Sequence, residues 1–216
     1  MGPVSPTITA GDGKLILAFD CSTAACTAAL FAADGTLLAA RDEVIGRGHA
    51  ERLVPMIDEL LAKRVPTEIL VGIGPGSFTG LRVAIAAAHG LSIGWCAAVH
   101  GMPSLALLAA SVDGEEPVVA AMSGGHGELF VQSFDRAPFA ALAHSENLTP
   151  TDAAATQTAH LVVGSGAVAL VEARGHGKAL DLLPSAANTL RLPRELRSLA
   201  ARPLYIRAPD ARPKAA

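Results

Sequence analysis

The sequence predicts a mixed α/β protein of two lobes, each a sheet flanked by helices. Of its 216 residues, 50% are hydrophobic and only 17% are charged, which is the composition of a folded chain with a sizeable core. Strand-like runs alternate with helical periodicity, and this alternation favours sheets covered by helices. A strand–turn–strand pattern that opens the chain returns after residue 112, which indicates a second lobe.

The first lobe, predicted over residues 14–112, opens as a three-stranded meander. Apolar runs over 15–19 and 27–32 predict two strands joined by a tight polar turn. Asp34-Gly35 is a strong hairpin signal, and it leads into a third predicted strand over 36–44.

Helical periodicity begins near residue 50 and predicts a helix over 50–63. A buried strand is predicted over 69–73, followed by a glycine-rich loop and a helix over 81–94. Val99 and its neighbours predict one more strand.

The second lobe is predicted over residues 113–207. Its predicted elements are strands over 118–122, 129–134 and 161–163, a helix that runs to Val171 and a helix over 193–201. We expect a flexible N-terminal extension over 1–13 and a flexible tail over 208–216.

Composition argues against direct capture of nucleic acid. The net charge is −3, so the chain has no global positive field, and aromatic residues make up only 4%. A ladder of stacking rings for single strands therefore cannot be built, and any contact with RNA is expected to be local or through a partner.

The three cysteines, Cys21, Cys26 and Cys96, have no metal-like spacing and indicate buried thiols in a reducing compartment. Residues 1–13 lack the pattern of a signal peptide. Residues 83–112 contain no charged side chain, but glycine, histidine and proline interrupt them, so they predict helix, strand and helix rather than a membrane span. We therefore expect a cytoplasmic protein.

Two segments have residue types suited to an anion. The turn after the first strand carries a carboxylate that could hold Mg²⁺ through water and two hydroxyls that could contact phosphate; an ordinary hydrogen-bonded turn is the alternative. The glycine-rich loop precedes a helix with a guanidinium in its first turn, and a helix capped by Ser77 or Thr79 is the alternative there. The candidate anion-binding residues are Asp20, Ser22, Thr23, Gly74, Gly76, Ser77, Thr79, Gly80 and Arg82.

Other motifs for catalysis are weak. His49 and Glu51 open the first long helix, where they could act as acid and base or as a helix cap. The sequence has no Gly-x-Ser-x-Gly, no His-Glu-x-x-His and no histidine pair at a spacing of four, which disfavours a self-sufficient metallohydrolase.

Several segments together resemble the TsaB family, the bacterial partner subunit in tRNA threonylcarbamoyladenosine synthesis, whose older names are glycopeptidase-like. In the first lobe they are Ile16 to Thr23, Gly48-His-Ala-Glu51 with Leu53 and Pro55, Gly72 to Arg82 with its string Gly-Pro-Gly-Ser-Phe-Thr-Gly-Leu-Arg, and Gly101 to Leu108. Looser matches are Gly127 to Phe130, Val163 to Gly166, Leu204 to Arg207 and Ala208 to Ala211.

The resemblance implies the two-lobed actin-like ATPase and sugar-kinase fold, which is ribonuclease H-like. It implies a non-catalytic subunit that binds and stabilises TsaD, while the TsaE ATPase completes the complex that transfers threonylcarbamoyl to the adenosine beside the anticodon. No cofactor is then required by this chain, ATP and Mg²⁺ serve in the assembled complex, and tRNA is met only through that complex.

One departure bears on catalysis. The catalytic paralogue TsaD carries a metal-binding His-x-x-x-His, whereas the corresponding stretch here is His100-Gly-Met-Pro-Ser104, and one imidazole cannot make that site. Ser123-Gly124-Gly125 also stands where the family often has Asp-Ala-Arg. Two alternatives remain: a Mg-ATP-dependent small-molecule phosphotransferase that uses Asp20, Ser22 and Thr23, and a metal-dependent peptidase.

The resemblance also implies that the first lobe contacts TsaD and that the same face forms a homodimer when TsaD is absent. The helix over 81–94 is rich in small residues, which suits close approach of another helix, in the core or in a partner chain. The candidate interface residues are Leu53, Met56, Ile57, Leu60, Ala84, Ala87, Ala88 and Leu91.

Overall fold

The computed structural model describes residues 13–206. The expectations of a flexible extension and a flexible tail fall, Gly13 apart, on residues 1–12 and 208–216, which lie outside the described residues, as does Arg207.

The first lobe is a five-stranded sheet with helices on both faces. Its elements are β1 Leu15–Asp20, β2 Ala25–Ala32, β3 Leu37–Val44, α1 His49–Leu61, β4 Glu68–Gly72, α2 Phe78–Trp95, β5 Ala98–Met102 and α3 Ser104–Ala109. The strand order is β3-β2-β1-β4-β5. β1, β2 and β3 form the predicted antiparallel meander, and β4 and β5 extend the sheet in parallel from β1.

The second lobe holds a six-stranded sheet. Its elements are β6 Val118–Ser123, β7 Leu129–Arg136, β8 Phe139–Ala141, β9 Glu146–Leu148, α4 Pro150–Thr156, β10 Leu161–Val163, α5 Ala167–Arg174 and β11 Lys178–Leu180. The strand order is β11-β10-β6-β7-β8, and β9 pairs with β7 beside β8.

The two sheets have the same topology. In each, an antiparallel meander of three strands comes first, and two later strands add in parallel to the free edge of the first strand. The faint repeat in the sequence therefore corresponds to a repeated lobe, and the predicted fold class of two mixed sheets flanked by helices is confirmed.

The core is layered because the central strands are buried on both faces. Leu17 and Phe19 of β1 pack toward α1 and α2, while Ala18 packs toward α3, which is buried between the two sheets. On the far face of the second sheet, apolar residues of α4 and α5 complete the core. The period-two alternation of β1 thus supplies two different layers.

The chain returns to the first lobe after β11. A 3₁₀ turn at Ala186–Arg191 packs on β1, β2 and β3, so the end of the predicted second lobe belongs by contact to the first. The helix predicted over 193–201 is wrong: only a short 3₁₀ turn forms at Arg194–Arg197, because Leu199 pairs instead with Gly101 as a β-bridge. No helix within residues 13–206 has the length and apolarity needed to cross a bilayer.

Candidate functional site

A cleft of about 800 Å³ opens between the lobes where β1, β4 and β6 end. Parallel strands that end together bring their following loops to one edge of a sheet, the usual place for a ligand in this class of fold. The residues that line the cleft are Ser22, Thr23, Ala24, Gly46, Pro75, Gly76, Ser77, Phe78, Leu81, Arg82, Ser123, Gly124, Gly125, Phe130, Leu204, Tyr205 and Ile206.

Asp20 lies beneath the cleft and does not line it. Its side chain is buried, and both oxygens already accept hydrogen bonds. Oδ1 accepts from the backbone N–H of Ser22 at 2.7 Å and from the Ser22 hydroxyl at 2.6 Å, while Oδ2 accepts from the Ser104 hydroxyl at 2.5 Å. The carboxylate therefore holds the site's own loops together rather than facing a ligand.

Ser104 is the partner that sequence reasoning missed. It begins α3 directly after β5, is completely buried, and its hydroxyl also accepts the N–H of Gly74 at 3.2 Å. The sequence analysis noted position 104 only because it carries serine where the second histidine of a His-x-x-x-His motif would lie. The signal that was available is the edge shared by parallel strands β4 and β5, which places the residues after them side by side.

The glycines of the loop after β4 serve close packing. The backbone N–H of Ser77 donates to the carbonyl of Ser22 at 2.7 Å, and a Cβ at Gly76 would overlap that same carbonyl. A Cβ at Gly80 would overlap the carbonyl of Cys21. Ser77 caps α2, since its side chain accepts the N–H of Gly80 at 3.2 Å. The alternative of a capped helix with closely packed glycines thus describes this loop.

Arg82 stands at the mouth of the cleft in an oriented position. Its guanidinium carbon lies 3.7 Å from the centroid of the Phe78 ring, and its Nε donates to the Tyr205 hydroxyl at 3.0 Å. The two rings are stacked with centroids 5.7 Å apart. Within residues 13–206, the Nη atoms of Arg82 make no hydrogen bond, so they can meet an anion in the cleft. Phe78 and Tyr205 were not predicted for this site.

The structure thus divides the nine predicted anion-binding residues. Five of them line the cleft, namely Ser22, Thr23, Gly76, Ser77 and Arg82. The other four do not: Asp20, Gly74 and Gly80 are buried in loop packing, and Thr79 is exposed outside the cleft.

His49 does not form the helix cap that the sequence allowed. It is buried, and its Nε2 lies 3.3 Å from the carbonyl oxygen of Ala25. Gly48 is the N-cap of α1 and no side chain caps the helix, so the capping expectation is wrong. In the described part of the chain, no three His, Cys, Asp or Glu side chains lie close enough together to hold a metal ion.

Six of the eight predicted interface residues are core residues, which corrects that assignment. The periodic apolar faces of α1 and α2 turn inward onto the first sheet, so these side chains are at most 3% exposed: Leu53, Met56, Ile57, Leu60, Ala84 and Ala88. Ala87 and Leu91 are partly buried against the same core and keep some exposure.

The outward face of these helices carries other small and apolar residues. On α2, Ala86 and Gly90 are exposed, and Ile93 is 82% exposed. On the neighbouring α1, Val54 is 48% exposed. A Cβ at Gly90 would meet nothing within 4 Å, so backbone lies open at this surface, which we call the α1–α2 face.

Comparison with known proteins gives consistent matches. A family model described as TsaD, tRNA N6-adenosine threonylcarbamoyltransferase, matches residues 42–138. The tRNA threonylcarbamoyladenosine biosynthesis protein TsaB of Escherichia coli (strain K12) is 34% identical over 129 residues, 56% of this chain and 55% of that protein. TsaB of Haemophilus influenzae is 35% identical over 124 residues, 53% and 51% of the two chains. The chain thus spans about half the length of these curated relatives.

Two solved structures match over nearly their whole length. YeaZ from Pseudomonas aeruginosa superposes with a TM-score of 0.76 at 31% identity, over 89% of this chain and 99% of that one. A protein described as having similarity to peptidase YEAZ from Pseudomonas aeruginosa superposes with a TM-score of 0.77 at 31% identity, over 90% and 100%.

Proposed function

This chain belongs to the TsaB family, and from that premise we propose that it is a non-catalytic partner subunit in tRNA threonylcarbamoyladenosine synthesis. In this role it binds and stabilises a TsaD-like catalytic subunit. A TsaE-like ATPase completes the complex, which transfers threonylcarbamoyl to the tRNA adenosine beside the anticodon. We propose that the chain acts in the cytoplasm, where this reaction takes place, and that the chain contacts tRNA only through the complex.

The observation that carries the non-catalytic role is the bonding of Asp20. A carboxylate that positions Mg²⁺ for a phosphotransferase must offer an oxygen to the cleft. Here both oxygens accept hydrogen bonds from Ser22 and Ser104, and the side chain is 1% exposed. Position 104, which the family resemblance aligned with a histidine ligand of TsaD, carries the hydroxyl that holds this carboxylate. These contacts favour a structural use of the motif, with ATP and Mg²⁺ acting elsewhere in the complex.

The surface that supports a partner role is the α1–α2 face. Ile93 and Val54 expose apolar side chains there, and Ala86 and Gly90 leave room for a facing helix to approach. A second copy of the chain presents the same face, so we propose that it forms a homodimer alone and exchanges the second copy for TsaD in the complex.

Reconstitution tests this function. The chain is incubated with threonylcarbamoyl-adenylate and unmodified tRNA, alone and with purified TsaD-like and TsaE-like subunits, and the modified nucleoside is quantified after digestion. We expect no product from the chain alone and product from the assembled complex. Product from the chain alone, at a rate that does not depend on TsaD, contradicts the proposal.

Asp20→Asn is the matched variant in that assay, because it keeps the size of the side chain and removes its charge. If Asp20 is structural, the variant lowers the stability of the chain, and the part of the protein that is correctly folded still supports transfer by the complex. A variant that folds like the wild type but abolishes transfer would instead assign Asp20 a catalytic role.

A further inference from the structure

Two thiols face each other inside the first lobe. Cys21 directly follows β1, Cys26 lies in β2, and both side chains are completely buried. Their Sγ atoms are 3.8 Å apart, and both cysteines are free. Asp20 pairs with Thr27 at the end of the β1–β2 ladder, so continuing this register by one residue sets Cys21 opposite Cys26.

This placement suits a disulfide. Directly opposed residues of an antiparallel pair have Cα atoms about 4.5 to 5.5 Å apart, and disulfides bridge Cα separations of about 4.4 to 6.8 Å. The two sulfur atoms must approach by about 1.8 Å to reach a bond length of about 2.05 Å. Rotation of the two side chains can supply most of that movement, so the strands can keep their pairing.

The two thiols are chemically unequal. The hydrogen bond between them lowers the pKa of Cys26 and, together with burial, raises the pKa of Cys21. Cys26 is therefore the sulfur that carries the negative charge more readily, and the Cys21 thiol can donate to it.

We propose that Cys21 and Cys26 are a reversible redox site whose oxidant is a hydroperoxide. The Cys26 thiolate attacks one oxygen of hydrogen peroxide, the O–O bond breaks, and the departing hydroxide takes up a proton as water, which leaves a sulfenic acid. The Cys21 sulfur then attacks the Cys26 sulfur, the S–O bond breaks, and a second water leaves with the Cys21 proton. Two thiols lose two electrons and the peroxide gains them. A dithiol reductant reverses the change.

Oxidation at this site acts on the wall of the cleft. The bridge closes around the turn that carries Ser22 and Thr23, both of which line the cleft. The Ser22 carbonyl already accepts the N–H of Ser77, so the turn is also tied to the loop that begins α2. A disulfide therefore stiffens the segment that links the first strand to the cleft.

Peptide mass spectrometry tests the proposal on the whole native chain. The protein is treated with hydrogen peroxide, quenched, unfolded, alkylated and digested with trypsin. Cleavage after Lys14 and Arg41 leaves Cys21 and Cys26 in one peptide, residues 15–41, and Cys96 in another. We expect the 15–41 peptide to become about 2 Da lighter than its unmodified form and to lose both alkylation sites, and dithiothreitol to restore them.

Cys96 is the internal reference because it is exposed, and it should oxidise without the loss of about 2 Da that marks an internal bridge. Cys21→Ala is the matched variant: its 15–41 peptide should never show that loss. The proposal is overturned if the native 15–41 peptide retains both alkylation sites when Cys96 is fully oxidised. It is also overturned if Cys21 and Cys26 gain oxygen independently without forming the bridge.

Discussion

Replacing Ser104 by alanine removes the hydroxyl that joins the loops beneath the cleft. Oδ2 of Asp20 and the N–H of Gly74 then lose their bonding partner in a site closed to water. A hydrogen bond to a charged group contributes about 1.5 to 3 kcal/mol and a neutral one about 1 kcal/mol. We therefore expect a loss of about 3 kcal/mol in the free energy of unfolding. For a chain of this length that lowers Tm by about 6 to 12 °C.

Urea titration and thermal unfolding, both followed by circular dichroism, measure this loss. Ser92→Ala is the control, because its hydroxyl donates only to the carbonyl of His89 within α2, at 2.8 Å and near the surface, and its removal should change stability by less than about 0.5 kcal/mol. A loss below about 1 kcal/mol for Ser104→Ala would refute the view that this hydroxyl fixes the buried carboxylate.

Two further changes test the packing of α1. Leu53→Ala should cost about 2 to 5 kcal/mol of stability, as expected for a completely buried leucine, and unchanged stability with altered self-association would return Leu53 to the interface. Arg52 pairs with Glu43 at 2.5 Å and Glu59 at 2.8 Å, and these hydrogen bonds lower the pKa of both carboxyl groups. Their stabilising effect is present above the ordinary glutamate pKa of about 4.3 and is lost as pH falls through the lowered values. Acid titration of unfolding should therefore be steeper for wild type than for Arg52→Met, and equal slopes would contradict the pairing.

Local signals in the sequence predicted the first lobe well. The Asp34-Gly35 turn and the apolar run before it predicted β2 and β3, because a hairpin turn depends mainly on residues that are neighbours in sequence. The second lobe was predicted less completely, since β8, β9 and β11 are only three residues long and too short to show a strand pattern of their own.

The exposed and buried faces of α2 could not be separated from its sequence. Eight of its 18 residues are Gly, Ala or Ser, so apolar periodicity gives no clear direction, and the packing against the sheet decides that Ala84 is buried while Ala86 is exposed. On α1 the periodicity is clear and marks the core face, but Leu53 on that face was predicted to belong to an interface.

The candidate site was predictable only in part. The family motif identified the turn at Asp20 and the loop before α2, and the cleft does form between the lobes beside them. The bond from Ser104 to Asp20 joins residues 84 positions apart and depends on the adjacency of β1, β4 and β5. The contribution of Tyr205 likewise requires the chain to return to the first lobe after β11.

The partner role is tested most directly by the affinity of the chain for a TsaD-like subunit when the α1–α2 face is changed. Ala86→Arg places bulk and an unpaired charge on this exposed face, and Ala155→Arg makes the same change at an exposed position on α4 of the other lobe. Sedimentation velocity of each folded variant, alone and mixed with TsaD, measures both associations. We expect Ala86→Arg to lose TsaD binding and homodimerisation together, and Ala155→Arg to keep both. Wild-type association of a folded Ala86→Arg variant would contradict the assignment of this face.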